Sequence, residues 1–563
     1  MSSANGEGKT LPYEILYMIC TELGNENDFV SLFQCALTSR PFADSALRIM
    51  YQRHQFSPVF EQRDDLVMQK EVDYATRAAE EKRMFRKWNV LWRSIIASSL
   101  DHTRWPTYKP YCWHITTLDF RNLLAMLDDY KFTPVVQSQF FNKGLKGFWI
   151  PKKDIRGQVV DVVATVNKVG DALITKTPLL EEINGHMSPG YLCDWIPLSP
   201  KLVSMVLWNG DALTGTGDRF DSAGKAIAAC CESFKSLTVH DWSSPDADVT
   251  CSSFLNDLNP DTLEYFEMIS FNRLSKLSFE ALGRHKSLRE LSLGNLSHEA
   301  MENLNALKEC TKLHTLKLDD DLGYAHLEGV NDHVFLEVVD WLSSCRNLRD
   351  LSLKKFADGP AILSRVLCSP NVKLTKLSLE GYRVLDTNSQ LFHSALPEQR
   401  TLESICLKGS CEGTTSRDLR IMVEGLCGLK NLKELVLKDV SDEFSEADIA
   451  TLAMSLPHLE DLWTSGGEVC EGVLDVLAGL DKLKNLTLYA LTQFTSEGIL
   501  NFLERLNPVT QKGFSLSLMA ANPDFDLNET EQDLIREYIR TNLDGRFDFV
   551  LWRDAETSDS DDD

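Results

Sequence analysis

One spacing of apolar residues recurs along most of the chain: apolar, two other positions, apolar, one other position, apolar. Its clearest form is Leu348-x-x-Leu351-x-Leu353, and further clear copies start at Leu288, Leu313, Leu374, Leu402, Leu432, Leu459 and Leu483. Successive starts lie 25, 35, 26, 28, 30, 27 and 24 residues apart. Weaker copies come earlier: Ile115-x-x-Leu118-x-Phe120, Leu145-x-x-Phe148-x-Ile150, Leu180-x-x-Ile183, Leu202-x-x-Met205-x-Leu207, Phe234-x-x-Leu237-x-Val239 and Leu263-x-x-Phe266-x-Met268. Leu516-x-Leu518 follows, and Phe547-x-Phe549 closes the series. Alternation at the end of each copy predicts a strand. Between copies, as in residues 334–342, 419–426 and 499–506, the apolar period lengthens to that of a helix. A single strand–helix unit of this size cannot bury its own leucines, so about 15 units must stack.

The first 112 residues follow a different pattern. Residues 1–10 are polar and read as disordered. Pro12 and Glu14 suit the first turn of a helix whose apolar face carries Ile15, Ile19 and Leu23, widened by Leu16, and Gly24 stops it. Asn27 or Asp28 caps a second helix with Phe29, Leu32, Phe33, Ala36 and Leu37 on its apolar face. Pro41 separates it from a third, carrying Phe42, Ala46, Leu47 and Met50. Residues 51–112 form a connector. Within it, Phe85, Trp88, Leu91, Trp92, Ile95 and Ile96 recur at helical spacing and face the first repeats. Lys82, Arg83, Arg86 and Lys87 are read as the solvent face of that helix rather than as an import signal.

The strand-and-helix unit resembles the leucine-rich repeat at its long, helix-bearing end. The expected fold is therefore α/β: a three-helix module at 11–50, the connector at 51–112, then a solenoid over 113–553 with parallel strands on the concave face and helices outside. The asparagine usual after the last leucine of such repeats is mostly absent. Lys-Lys-Phe356 follows Leu353 and Glu-Gly-Tyr382 follows Leu379, so less regular turns are expected. The stretch from Asp319 to His326 reads as a loop protruding at one edge. Residues 554–563 form an acidic tail that reads as disordered, with Ser558 and Ser560 among acids.

The module itself resembles an F-box. The match runs Leu11-Pro12-x-Glu14-Ile15-Leu16, then Ile19 and Leu23, then the stretch from Phe29 to Phe42 with Cys35, Leu37, Ser39 and Arg40. With the connector 88–100 and the segment 111–120, the whole chain resembles a fungal-type F-box protein with leucine-rich repeats. That resemblance implies a substrate-recognition subunit of a Skp–cullin–F-box ubiquitin ligase. It implies contacts to the Skp-type adaptor, and through it to the cullin–RING ligase, from Leu11, Pro12, Ile15, Ile19, Leu32, Cys35 and Leu37. Several of these also suit the core of three packed helices.

Composition narrows the partners. Formal charge is −25, from 58 basic and 83 acidic residues, which disfavours a general binder of nucleic acid or anionic membrane. No signal-peptide pattern opens the chain and no apolar run is long enough to span a bilayer. The 14 cysteines are scattered, without metal-ligand spacing, as expected in cytosol or nucleus. Glycosylation motifs at Asn295, Asn485 and Asn528 are read as chance.

Catalytic chemistry is not expected. The glycines around Gly215 and Gly224-Lys225 fail as a phosphate loop, because Arg219 stands where a glycine is needed and Ala226 where a magnesium-binding hydroxyl is needed. Neither a nucleophile elbow nor a zinc helix motif occurs. No cofactor or metal is expected. Alternation sends the residues between and beside the leucines to the inner face of the strands, and among them Trp208, Tyr265, Asp350, Lys354, Trp463 and Tyr489 are the candidates for holding a target protein. Two other readings stand beside the ligase subunit: a ligase-independent scaffold, and a leucine-rich GTPase activator, for which no positioning residue is found.

Overall fold

In the computed structural model the described residues are 11–57, 74–101, 103, 107–154, 157–215, 220–323, 327–384, 386–410, 414–520 and 527–551. The disorder expected at 1–10 and 554–563 lies outside them. The chain divides into two compact units, Met1–Met268 and Ile269–Asp563.

The first unit opens with three helices, α1 (Tyr13–Asn25), α2 (Phe29–Thr38) and α3 (Arg40–Gln52), followed by the long α4 (Tyr74–Ser98). The Asp28 carboxylate accepts the Ser31 N–H at 2.9 Å and so caps α2. Pro41 sits in the first turn of α3, where its missing N–H costs nothing. Beyond α4 come β1 (Thr117–Asp119), α5 (Phe120–Asp128) and α6 (Pro134–Phe140). Strands β2 (Pro151–Asp154) and β3 (Gly157–Val160) pair antiparallel, apart from the repeat strands. The repeat strands of this unit are β1, β4 (Glu182–Gly185), β5 (Ser204–Asn209), β6 (Ser236–Asp241) and β7 (Tyr265–Met268), each parallel to the next.

The second unit repeats the theme through β8 (Glu290–Leu296), β9 (Thr315–Asp320), β10 (Asp350–Lys354), β11 (Lys376–Arg383), β12 (Ser404–Ser410), β13 (Glu434–Lys438), β14 (Asp461–Cys470), β15 (Asn485–Gln493), β16 (Ser515–Ala520) and β17 (Arg546–Leu551). Every neighbouring pair is parallel. Register is set by the leucines. Leu291, Leu316, Leu351, Leu377, Ile405, Leu435, Leu462, Leu486, Leu516 and Phe547 stand side by side in one row. All ten are buried, so a slip of one residue in any strand would turn its row toward solvent. The architecture is that of a leucine-rich-repeat solenoid behind a short helical bundle.

Several expectations are corrected. Residues 145–150 do not form a repeat strand. Leu145 and Phe148 are buried from a 3-10 turn, Lys143–Phe148, where a spacing of three also places two side chains on one face. Gly144 and Gly147 inside that stretch weaken any strand. Asp319 and Asp320 belong to β9, with Asp320 buried, so the protruding loop starts later than expected. Residues 324–326 of that loop lie outside the described residues.

The missing repeat asparagines are replaced by local devices. Lys355 and Asp439, just after β10 and β13, take left-handed backbone angles, φ 51° and 52°. On the helix-to-strand side, the Gln399 amide accepts the Leu374 N–H at 3.0 Å and donates to the carbonyls of Leu367 at 2.7 Å and Val372 at 3.2 Å. Gln511 does the same at another turn, donating to Leu480 and Leu483 and accepting from Asn507. Buried turn backbone thus keeps its partners without a periodic asparagine.

Candidate interaction surfaces

Among the described residues no group of three or more histidine, cysteine or acidic side chains is placed to hold a metal ion. The buried thiols run against nucleophilic chemistry. Burial, with a nearby cysteine as a smaller cause, pushes Cys20 up to about 11 and Cys310 to about 12. The surfaces worth building are those that could hold other molecules.

The helical module is the first. Its core is Cys20, Leu32, Ala46 and Ile49, with Tyr17, Leu23, Cys35, Ala36, Phe42 and Met50 packed around it. Leu16 and Phe29 are buried as well. This leaves a second apolar set outside. On α1 and just before it, Leu11, Tyr13, Ile15, Met18 and Ile19 are exposed; on α2, so are Val30, Phe33 and Leu37, the whole set at 38–70 % of full exposure. Ile15, Met18 and Ile19 share one face of α1 by their i, i+3, i+4 spacing, and Val30, Phe33 and Leu37 share one face of α2. Scattered exposed leucines are ordinary in folded proteins, but two helical stripes on so small a bundle are not.

These positions change the expected assignments. Ile15 and Ile19 point out of the bundle while Leu16 and Cys20 point in, so the inward face of α1 is rotated from the one the spacing suggested. Phe33 and Leu37, expected on the buried face of α2, are exposed. Leu32, expected to touch the adaptor, is 0 % exposed in the core and offers no contact. Cys35 is half-buried against that core, and Pro12 is exposed at the start of α1. Tyr13, Met18 and Val30 were missed, because an apolar residue off the main stripe gives no signal of its own in sequence.

The module is tied to the rest of its unit. The Tyr51 ring stacks on Tyr111 with centroids 4.1 Å apart, and its hydroxyl lies 2.7 Å from Ser94 Oγ of α4. Lys109 pairs with Asp44 of α3 at 2.9 Å, and the Thr116 hydroxyl donates to the Gln52 carbonyl at 3.2 Å. His54 is fully buried, edge-on to Trp92, and burial drives it down to about 4, so it is neutral. On α4, Phe85, Trp92, Ile95 and Ile96 are buried as expected, whereas Trp88 and Leu91 are only half-buried.

The strand faces are the second surface, described for each unit by itself. In the first unit Trp208 is 49 % exposed and stacks on His240, centroids 4.5 Å apart. The half-buried Tyr265 donates its hydroxyl to Glu267 at 2.7 Å. In the second unit the exit row of the strands reads Asp319, Lys354, Glu380, Lys408 and Lys438 by register. Lys354 Nζ lies 3.2 Å from Asp319, so it is already paired, and Asp350 is half-buried at the other end of β10. Trp463 meets Tyr489 edge-on at 5.0 Å, and Lys438 Nζ lies 4.8 Å over the Trp463 ring. Val436 neighbours Trp463 by register and Met519 neighbours Tyr489. This second patch joins two predicted candidates to two residues not singled out, though simple alternation would have found Met519. The candidates of the second unit therefore fall into an ionic group and an aromatic group.

No known family matches the chain, and no curated protein matches it. Solved structures do. A chain of the yeast Rad7–Elc1 complex is 15 % identical, over 65 % of this chain and 85 % of that one, at a TM-score of 0.35. The crystal structure of a TLR13–ssRNA13 complex contains a chain 15 % identical, over 62 % of this chain and 48 % of that one, at 0.37. The leucine-rich repeat-containing protein LegL7 from Legionella pneumophila is 13 % identical, over 58 % and 90 %, at 0.25. At these scores they carry no argument about what this chain binds. Among the described residues no helix is long and apolar enough to cross a membrane.

Proposed function

We propose that this chain is a non-catalytic scaffold that joins two proteins, the helical module docking on a Skp-type adaptor of a cullin–RING ubiquitin ligase and the strand faces holding a target for ubiquitination. The observation that carries it is the pair of apolar stripes on α1 and α2. They are exposed on a bundle whose core is otherwise complete, which is the economy of a docking surface. The anchoring of α3 to α4 and β1 supports delivery, since a held target is then presented at high local concentration.

The test is capture of purified adaptor by the full chain. Wild type should bind, and Ile15→Asp with Leu37→Asp should not, with unchanged circular dichroism. Binding unaffected by both changes, or absent in wild type, defeats the adaptor reading. Because the stripes specify an interface and not its occupant, a ligase-independent scaffold is the second reading. It is favoured if co-purifying partners depend on the stripes while the adaptor is not among them.

A further inference from the structure

A third surface lies in the first unit, apart from the stripes and the strand faces. It is an open groove of about 1080 Å³ between α4 and the α5–α6 segment. Its floor is apolar, formed by the buried rings of Phe85 and Phe140. Three large apolar side chains that the fold leaves in solvent, Val90, Tyr130 and Val135, stand on its walls. The rim is cationic. Among charged lining residues Lys82, Arg86, Arg93 and Lys131 face a single carboxylate, Glu81, in a chain of formal charge −25.

The cations are not gathered at one point. Lys131 sits over the Tyr130 ring at 4.8 Å and 3.4 Å from Glu81, while Arg93 donates to the Asn142 side chain. Lys82 and Arg86 are exposed one helical turn apart on α4 and, among the described residues, form no ion pair. Spaced charges above an apolar floor do not suit a lone phosphate, which needs converging donors. They do not suit a nucleic-acid strand either, because the chain's overall charge repels its backbone.

From this we infer that the groove docks an acidic peptide segment of a partner protein. A bulky apolar side chain would seat on Phe85 and Phe140 while carboxylates on either side meet Lys82 and Arg86. The inference needs neither the adaptor nor the target reading. It also gives the basic cluster of α4 a use: two of its four members, Lys82 and Arg86, rim the groove, and Arg83 and Lys87 do not line it.

A random peptide display library panned on the full chain, against K82E/R86E as the counter-selection, tests it. The expected result is a class of peptides retained by wild type and lost by the variant, rich in Asp or Glu beside Phe, Leu or Trp. A synthetic member of the class should bind roughly tenfold more weakly to K82E/R86E in fluorescence anisotropy, and weaken as salt rises. Its binding should also fall when its glutamates become glutamines. Both substituted residues are exposed, so the variant should keep its circular dichroism and its thermal midpoint. The inference is overturned if no such class emerges, if the class lacks acidic or apolar residues, if the glutamine peptide binds equally, or if tripolyphosphate displaces the peptide as a competitor for one anion site.

Discussion

At the scale of single residues, burial separates side chains that look alike in sequence. Leu32 and Leu37 are both apolar residues of α2, one at 0 % and one at 66 % exposure. Leu32→Ala should cost about 2–5 kcal/mol of module stability, because it empties a packed site. Leu37→Asp should change stability by less than about 0.5 kcal/mol. Thermal denaturation of the two variants checks this, and equal losses would contradict the assignment. Buried histidines give a pH signature. His54 is held near 4 by burial, partly offset by the Tyr51 carbonyl and Asp119, against an ordinary value of 6.5. His393 is held near 3, partly offset by Asp418, with Nε2 3.0 Å from the Tyr382 hydroxyl. Below about pH 6.5 the unfolded chain takes up protons that the native state refuses. Stability therefore falls as pH drops, the loss completing near 4 for His54 and 3 for His393. The effect of His54 should reach on the order of 3 kcal/mol by pH 4. The midpoint of thermal unfolding should therefore fall less steeply between pH 7 and pH 4.5 in His54→Asn than in wild type, and parallel curves would refute the account.

At the scale of the repeat, stability comes from rows rather than from single strands. Leu351 is flanked by Leu316 and Leu377 in register, so its loss is felt on both sides. The turns depend on fewer residues. Gln399→Ala would leave the Leu374 N–H and the Leu367 and Val372 carbonyls without their side-chain partner. Each buried group left unpaired costs about 1–3 kcal/mol. Amide exchange at Leu374 should accelerate sharply in this variant while that at Leu435 changes little; uniform acceleration would show that the turn is not a local device. The repeat rows were legible in sequence because a leucine spacing states its own register. The glutamine turns were not, since Gln399 and Gln511 recur with no fixed period and act only through backbone groups brought to them by stacking.

At the scale of the molecule, function rests on surfaces that should act separately. Replacing Trp463 and Tyr489 together by alanine removes an edge-on aromatic pair and the ring beneath Lys438. Aromatic anchors of this kind carry about 2 kcal/mol or more of binding. The proteins retained from cells should then change, while binding through the α1 and α2 stripes is untouched. If both activities fall together, the variant has lost its fold rather than a surface. Combined with Ile15→Asp, each binding loss should equal that of its own single variant, because the sites share no residue.

The solenoid, the strand–helix order and the residues between the leucines follow from the sequence alone, because backbone alternation and the need to bury leucines admit few solutions. The helical module was legible in outline; that Leu11, Ile15, Ile19 and Leu37 are exposed was not legible from spacing, which put Ile15, Ile19 and Leu37 on the apolar faces of their helices. Packing of the three helices decided which apolar residues turn inward. Leu16 and Cys20 rather than Ile15 and Ile19 fill the core, since three helices close around one axis and each can offer it only one face. The groove under Lys82 and Arg86 belongs wholly to tertiary structure. Its lining brings together Phe85 and Phe140, residues 55 positions apart, and no local pattern in the sequence marks two rings that come to line one groove only in the folded chain.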